Sequence, residues 1–416
     1  MSNSGDDRVK RRPVVRLDEF LGHYNACKYS LRPAMILPMP THSLEIAGLT
    51  LDRGSKRVVD SFDLSLAPGE YCVVLGPSGC GKSTLLHGIA GLISVARGSI
   101  TIDGTDVTHE AARKRNVGLL FQHDTMYPHL TVQQTLQIAA QANPTRNLSA
   151  TQLDQQIRVI SETMNLDPGW LPRRPDTLSG GQRRRVALAK TLIRNPSVCL
   201  LDEPMAAIDR LASERLMERL ADVSNQAEST TFVHVTHDGE EAMRLADKIV
   251  VMSEGQILQV GSPGEIYRSP NSSEVALALG SPSCNLLSLR EVIRACPQIG
   301  EVIELPDGQS LNELVLLLRP ETIQLLEPAS DQNNASTATE SGEWQFPAIV
   351  LERRNLGGRT LLRLQPISNE NAPPLSVTIA ESWIPAKTGT RWIFQTPISK
   401  LRVVAGSPQH TNSPAI

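Results

Sequence analysis

Two groups of residues in this 416-residue chain have the types and spacing of phosphate chemistry. The first is Gly76-Pro77-Ser78-Gly79-Cys80-Gly81-Lys82-Ser83-Thr84, which fits the loop pattern G-x-x-x-x-G-K-[ST]. Glycines let such a loop curl until successive backbone N–H groups point inward, and a helix that starts there turns its positive end toward the same spot. Lys82 adds a point charge for outer phosphates, and the Ser83 hydroxyl can ligate Mg2+. The second group is Asp202-Glu203, two carboxylates closing an apolar run. Asp202 there could hold Mg2+ through water and Glu203 could face an attacking water. The competing reading is that the pair caps a helix, since Asp and Glu favour that position. His237, after another apolar run, joins this group if its strand ends at the same sheet edge, where it would reach a γ-phosphate.

These residues need elements to hold them. Residues 71–75 are apolar and of strand length, and Leu85, Leu86, Ile89 and Ala90 recur at helical spacing. The loop therefore sits between a strand and a helix, which weighs against a glycine turn that binds nothing. Further strands are predicted at 44–46, 58–66, 98–102, 116–122 (ending in Gln122), 197–202, 231–236 and 248–252, the last of this domain. Helices are expected at 131–141 and 150–165 and, rich in arginine, at 183–194. Acids at the carboxyl edge of a parallel sheet lie where ligands bind in open α/β folds.

The chain is too long for one core, so two or three domains are expected. Its net charge is −3, with 41 basic against 44 acidic side chains, which gives no ground for a broad nucleic-acid or membrane-surface field. Six cysteines (Cys27, Cys72, Cys80, Cys199, Cys284, Cys296) include no C-x-x-C pair, so free thiols in a reducing compartment are expected. No apolar run is long enough to span a bilayer, and no secretory signal is visible. Residues 1–42 are modestly basic, then proline-punctuated. They read as a disordered leader or early start, or as a docking arm, with 17–29 as a possible short helix.

Leu178-Ser179-Gly180-Gly181-Gln182 turns the nucleotide loop into something more specific. Ser179 stands ninety-seven residues after Lys82, and Gln182 twenty before Asp202. With Phe121-Gln122 as a Q-loop, Asp209 as a D-loop aspartate and Val235-Thr236-His237-Asp238 as an H-loop, the stretch 44–282 resembles the ATP-binding subunit of ABC transporters. The resemblance implies a P-loop NTPase core with a helical subdomain over residues 43–282. It implies an ATPase in which two copies meet head to tail, as a homodimer or a paired ATPase subunit. ATP and Mg2+ would sit on residues 76–84 of one copy, under Ser179, Gly180, Gly181 and Gln182 of the other. Ser83, Gln122 and Asp202 would serve the metal. Glu203 would polarise the attacking water, and His237 would hold it in line with the γ-phosphate. The segment 123–130 would dock on two membrane permease subunits at the cytoplasmic face of the inner membrane, with an extracytoplasmic protein delivering solute.

Two positions depart from the family's pattern. Arg53 stands where an aromatic ring usually stacks on adenine; its guanidinium plane could stack instead, or be solvated. Ala206 replaces a D-loop serine. Residues 283–405 read as short β-rich runs, at 314–318, 346–351, 359–364, 376–379 and 391–394, with turn signals at 307–308 and 357–358 and a polar segment at 329–342. Leu318-Arg319-Pro320-Glu321 resembles an element of the OB-type TOBE domain that follows the ATPase in importers of sugars, glycerol phosphate, polyamines, iron or oxyanions. The sugar and glycerol-phosphate importers are the nearest in pattern. No basic, aromatic-studded face suggests nucleic-acid binding. A soluble ABC ATPase acting on DNA or ribosomes is the alternative of another class. The single uninterrupted cassette and the lack of heptads disfavour it. A non-hydrolysing module is disfavoured by the presence of Lys82, Glu203 and His237 together.

Overall fold

The structure is a computed structural model, and it describes residues 42–122, 126–142, 148–206, 208–226, 230–280, 282–305, 310–329, 335–356, 358–367, 373–380 and 386–406. The expected helix at 17–29, Cys27, Ala207, most of 329–336, both turn signals of the last third in whole or part, and the tail after 406 lie outside these residues.

The core runs β1 (Leu44–Arg53), β2 (Lys56–Leu66), β3 (Tyr71–Leu75), α1 (Lys82–Ile89), β4 (Val95–Ile102), β5 (Thr105–Asp106) and β6 (Val117–Leu120). It continues through α2 (Val132–Gln141), α3 (Ala150–Thr163), α4 (Gly180–Leu192), β7 (Val198–Asp202), α5 (Arg210–Gln226), β8 (Thr231–Thr236), α6 (Gly239–Leu245), β9 (Lys248–Ser253), β10 (Gln256–Gly261), α7 (Pro263–Arg268) and α8 (Ser273–Ala278). The main sheet has the order β10-β9-β3-β8-β7-β6. β9, β3, β8, β7 and β6 are parallel, and β10 closes the edge antiparallel. Every residue of β3, β7 and β8 is buried, because both faces of this sheet are covered.

The strand period of two sorts the core. Tyr71, Val73 and Leu75 face a helical layer that includes Leu136, Val186 and Leu220. Cys72 and Val74 face the other side, where α1 (Leu85, Leu86, Ile89) and an antiparallel layer β2-β1-β4-β5 supply Leu51, Phe62 and Ile100. Parallel pairing brings the carboxyl ends of β3, β6, β7 and β8 to one edge, so residues 76–84, Gln122, Asp202-Glu203 and His237 meet there.

Some expectations needed correction. β1 does not stop at Ile46 but continues to Arg53 through register shifts around Ala47-Gly48, with Gly48 at φ 57°. That bulge breaks the alternation by which a strand is recognised. β9 is not the last core strand: the Glu254-Gly255 turn makes a hairpin to β10. The arginine-rich helix starts at Gly180, three residues earlier than expected, because Ser179 and Gln182 form a reciprocal capping box.

The last third comprises β11 (Asn285–Ser288), α9 (Leu289–Ala295), α10 (Pro297–Val302), β12 (Leu314–Leu318), β13 (Gln324–Pro328), β14 (Thr337–Ala338), β15 (Glu343–Asn355), β16 (Thr360–Pro366), β17 (Leu375–Ile379), β18 (Arg391–Pro397) and β19 (Arg402–Ala405). Two antiparallel sheets, β11-β12-β19 and β13-β18-β15-β16-β17 with β14 on β15, enclose one core around Trp344, Phe346 and Phe394. The region is β-rich as expected; the short helices α9 and α10 were not anticipated, although Leu289, Val292 and Cys296 recur at helical spacing and are buried. Arg319 ties this region to the preceding α/β core. It is buried, donates to the carbonyls of Ala276, Leu279 and Tyr267, and stacks over the Tyr267 ring at 4.0 Å. The Tyr267 hydroxyl donates to Glu321.

Candidate active site

A cleft of about 870 Å³ opens at the carboxyl edge of the sheet, lined by Pro77 to Thr84 together with Arg53, Lys56, Arg57, Gln122 and Glu203. Its floor is the glycine loop. Gly76 lies against Met252, so that a Cβ there would come within 2.1 Å of the Met252 carbonyl. Gly81 sits at φ 112° as the residue preceding α1. Backbone bonds from Gly76 N to Thr236 O (3.3 Å) and from Gly255 N to Cys80 O (2.9 Å) fasten the loop to β8 and to the β9–β10 turn. Lys82 is buried and donates to the carbonyls of Gly76 and Pro77 at 2.8 and 2.9 Å, so its ammonium is held inside the loop's curl.

Asp202 is the last residue of β7 and accepts from the Ser83 hydroxyl at 2.9 Å. Burial pushes its carboxyl above the ordinary aspartate range, and the Ser83 bond offsets part of that rise. The helix-cap reading of Asp202-Glu203 fails on position: α5 does not begin until Arg210, and its cap is Asp209, whose carboxylate accepts from Ala212 N at 2.9 Å. A hydroxyl and a carboxylate meeting beside a phosphate cradle form the hard-oxygen set that Mg2+ takes, with few protein ligands and several waters.

Glu203 is the next residue and its backbone is left-handed, φ 43°, a conformation that a side-chain-bearing residue seldom adopts without support. That twist sends its carboxylate between two partners. Gln122 donates from Nε2 to Oε2 at 3.1 Å, and His237 Nδ1 lies 3.3 Å from Oε1. Gln122 shares the nucleotide-sized cleft; His237 belongs to a second cleft of about 510 Å³ between β8, α5 and α6, and Glu203 borders both. A carboxylate held between an amide and an imidazole at the rim of a phosphate cradle can accept a proton from a water placed there.

The signature residues stand apart. Ser179, Gly180, Gly181 and Gln182 are absent from the described lining of the cleft that holds the loop. Their capping box engages the N–H groups of Ser179 and Gln182. It leaves those of Gly180 and Gly181 at the open helix end, where they can serve an anion from outside this chain. Arg53 is exposed at the end of β1, opposite Lys56 in the hairpin, and lines the cleft.

Sequence reasoning missed one residue of this neighbourhood, Arg184, which is 2% exposed and donates to backbone carbonyls on both sides of Glu203. The signal was partial: Arg184 has the helical spacing of the buried Ala187, Leu188 and Thr191, but Val186 and Ala189 are buried as well, so periodicity alone does not separate it from Arg183 and Arg185.

A family profile described as "ABC transporter" matches residues 59–206. An sn-glycerol-3-phosphate import ATP-binding protein of Rhizobium etli is 35% identical over 323 residues, covering 76% of this chain and 91% of that one. An alpha-glucoside transport ATP-binding protein of Rhizobium meliloti is 36% identical over 331 residues, covering 77% of this chain and 86% of the relative. A solved dimeric ATP-binding cassette with bound ADP and phosphate is 25% identical, with a TM-score of 0.48, and covers 53% of this chain and 98% of the other.

Proposed function

This chain belongs to the family of ABC transporter ATP-binding proteins and is an ATPase of that kind, and from that premise we propose that it powers import of a sugar or of glycerol 3-phosphate. Two copies bind two ATP molecules head to tail, and the assembly docks on two permease subunits at the cytoplasmic membrane face, with an extracytoplasmic protein supplying solute. The solute class follows the printed functions of the relatives. No helix among the described residues is long and apolar enough to cross a membrane.

The observation that carries the hydrolytic assignment is the placement of Glu203 between Gln122 at 3.1 Å and His237 at 3.3 Å, on the rim of the cleft floored by the glycine loop. Backbone N–H groups of residues 78–83 and the Lys82 ammonium take the β- and γ-phosphates. Ser83 and Asp202, joined at 2.9 Å, are suited to hold Mg2+ with Gln122 nearby. Mg2+ in this position would offset charge on the phosphate oxygens. Glu203 takes a proton from the attacking water, and His237 holds that water and the γ-phosphate in line. The second positive helix end comes from α4 of the partner copy, whose free N–H groups at Gly180 and Gly181 close over the γ-phosphate. Little covalent work is asked of the protein; positioning and charge compensation supply the rate.

The solute assignment is tested in liposomes carrying the complete complex with its permease and binding protein. ATP hydrolysis stimulated by glycerol 3-phosphate or by an alpha-glucoside, and matched by uptake, is the expected result. Stimulation by neither, with response to a polyamine or an oxyanion instead, would overturn the class.

A further inference from the structure

We propose that Arg184 is a positioning residue that links the two nucleotide sites of the dimer, so that a nucleotide seated against one chain's signature helix alters that chain's own hydrolytic geometry. The proposal rests on the head-to-tail reading above. Arg184 lies one turn into α4, about 6 Å along the axis from the helix end at Gly180. Its guanidinium is buried and spreads over five described carbonyls: Nε to Pro204 O at 2.8 Å, Nη1 to Phe121 O at 2.8 Å and Gln122 O at 3.1 Å, and Nη2 to Asp202 O at 3.0 Å and Glu203 O at 2.7 Å.

Those carbonyls belong to the two segments that aim the Gln122 and Glu203 side chains. Glu203 holds a left-handed backbone, and three bonds pin it: its N–H donates to Val235 O at 3.0 Å, and its carbonyl accepts from Ala206 N at 3.0 Å and from Arg184 Nη2 at 2.7 Å. One of these three supports, the only one of them from a side chain, is therefore carried by the helix whose free end faces the partner's phosphate. A helix moves as a unit, so a shift of its N-terminus on closing over an anion is felt at the guanidinium. A planar fork with five N–H donors passes such a shift to several carbonyls at once, which a single ammonium cannot. Arg184 touches neither nucleotide; it acts through Gln122 and Glu203.

The test uses the purified full-length chain with Arg184→Lys and Arg184→Gln. ATP-dependent hydrolysis is read as kcat, KM and Hill coefficient, and a fluorescent ATP analogue reports affinity for the phosphate loop. The expected result is an affinity within twofold of the parent, kcat lower by tenfold or more, and a Hill coefficient that falls from above one to one. Lysine, which keeps the charge but not the fork, restores kcat only in part. An unchanged kcat and Hill coefficient in either folded variant overturns the proposal. So does a loss of kcat that tracks the loss of folded protein while the Hill coefficient holds, or a parent Hill coefficient of one. If the glutamine variant does not fold, the lysine variant decides. Glu203→Gln is assayed alongside: undiminished turnover there sinks the hydrolytic reading itself, whereas an inactive Glu203→Gln with silent Arg184 variants sinks only the link.

Discussion

Asp202 and Glu203 are neighbours with different surroundings, and their backbones separate them. Asp202 completes a buried strand and keeps strand geometry, so its carboxyl stays low in the sheet, against Ser83. Glu203 turns left-handed and its carboxyl rises to the cleft. Burial raises the Asp202 carboxyl, which sets a pH prediction. A carboxyl held above its ordinary value is protonated at a higher pH than an exposed one. Metal-assisted ATP binding needs it ionised, so affinity is present above the raised value and is lost as pH falls through it. Titrating Mg2+-dependent ATP affinity downward in pH should show the loss beginning above the normal aspartate range, and Asp202→Asn should remove that part of the pH dependence. An unaltered profile in Asp202→Asn would count against Asp202 as the titrating group. Arg53 lines the same cleft, and we propose that it stacks on the base in place of a ring. A guanidinium stacked on a purine at an exposed site is worth about 1 kcal/mol, so Arg53→Ala should raise the ATP dissociation constant about fivefold. An unchanged constant by calorimetry would return Arg53 to solvent.

At the scale of elements, the glycine loop depends on close backbone approach. A Cβ on Gly76 would lie 2.1 Å from the Met252 carbonyl and 2.9 Å from Cys80 Sγ. The first of these is backbone in β9 and cannot swing away. Gly76→Ala should therefore cost about 3 kcal/mol in thermal or denaturant unfolding, at the upper end of overpacking effects, and displace the loop as well. A stability change within about 0.5 kcal/mol would show that loop and strand have more slack than their spacing implies. The signature helix makes a complementary case. Its capping box is local, formed by residues three apart, and so the helix start at Gly180 could have been read from Ser179 and Gln182. The bonds of Arg184 run to residues 18 to 63 positions away, and no local pattern encodes them.

The whole molecule shows the same division. The order of short contiguous motifs was legible because each is a strand end, a loop or a helix start with its own residue requirements. Glu203's left-handed backbone was not, since besides the local bond from Ala206 N it is supported by Val235 and Arg184 on other elements. In the last third the strands at 314–318, 346–351, 359–364, 376–379 and 391–394 were legible and each lies on an observed strand, but their pairings were not. Its pairings join β12 to β19 and β13 to β18 across long stretches of chain, and strand registers of that kind are decided by the shared core around Trp344, Phe346 and Phe394. Arg319 was noted as part of a motif; its work as the buried tie between Tyr267, Ala276 and Leu279 became visible only in three dimensions.

Within one chain, the phosphate loop and the open end of the signature helix do not line one described cleft, an arrangement compatible with the proposed head-to-tail dimer. The most direct test of this account is one experiment on Glu203→Gln with ATP and Mg2+, following phosphate release and molecular mass by light scattering together. The account predicts that turnover is abolished and that the chain, with its hydrolysis stopped, accumulates as an ATP-bound dimer. Undiminished phosphate release, or a variant that binds ATP yet remains a monomer at every ATP concentration, would contradict it.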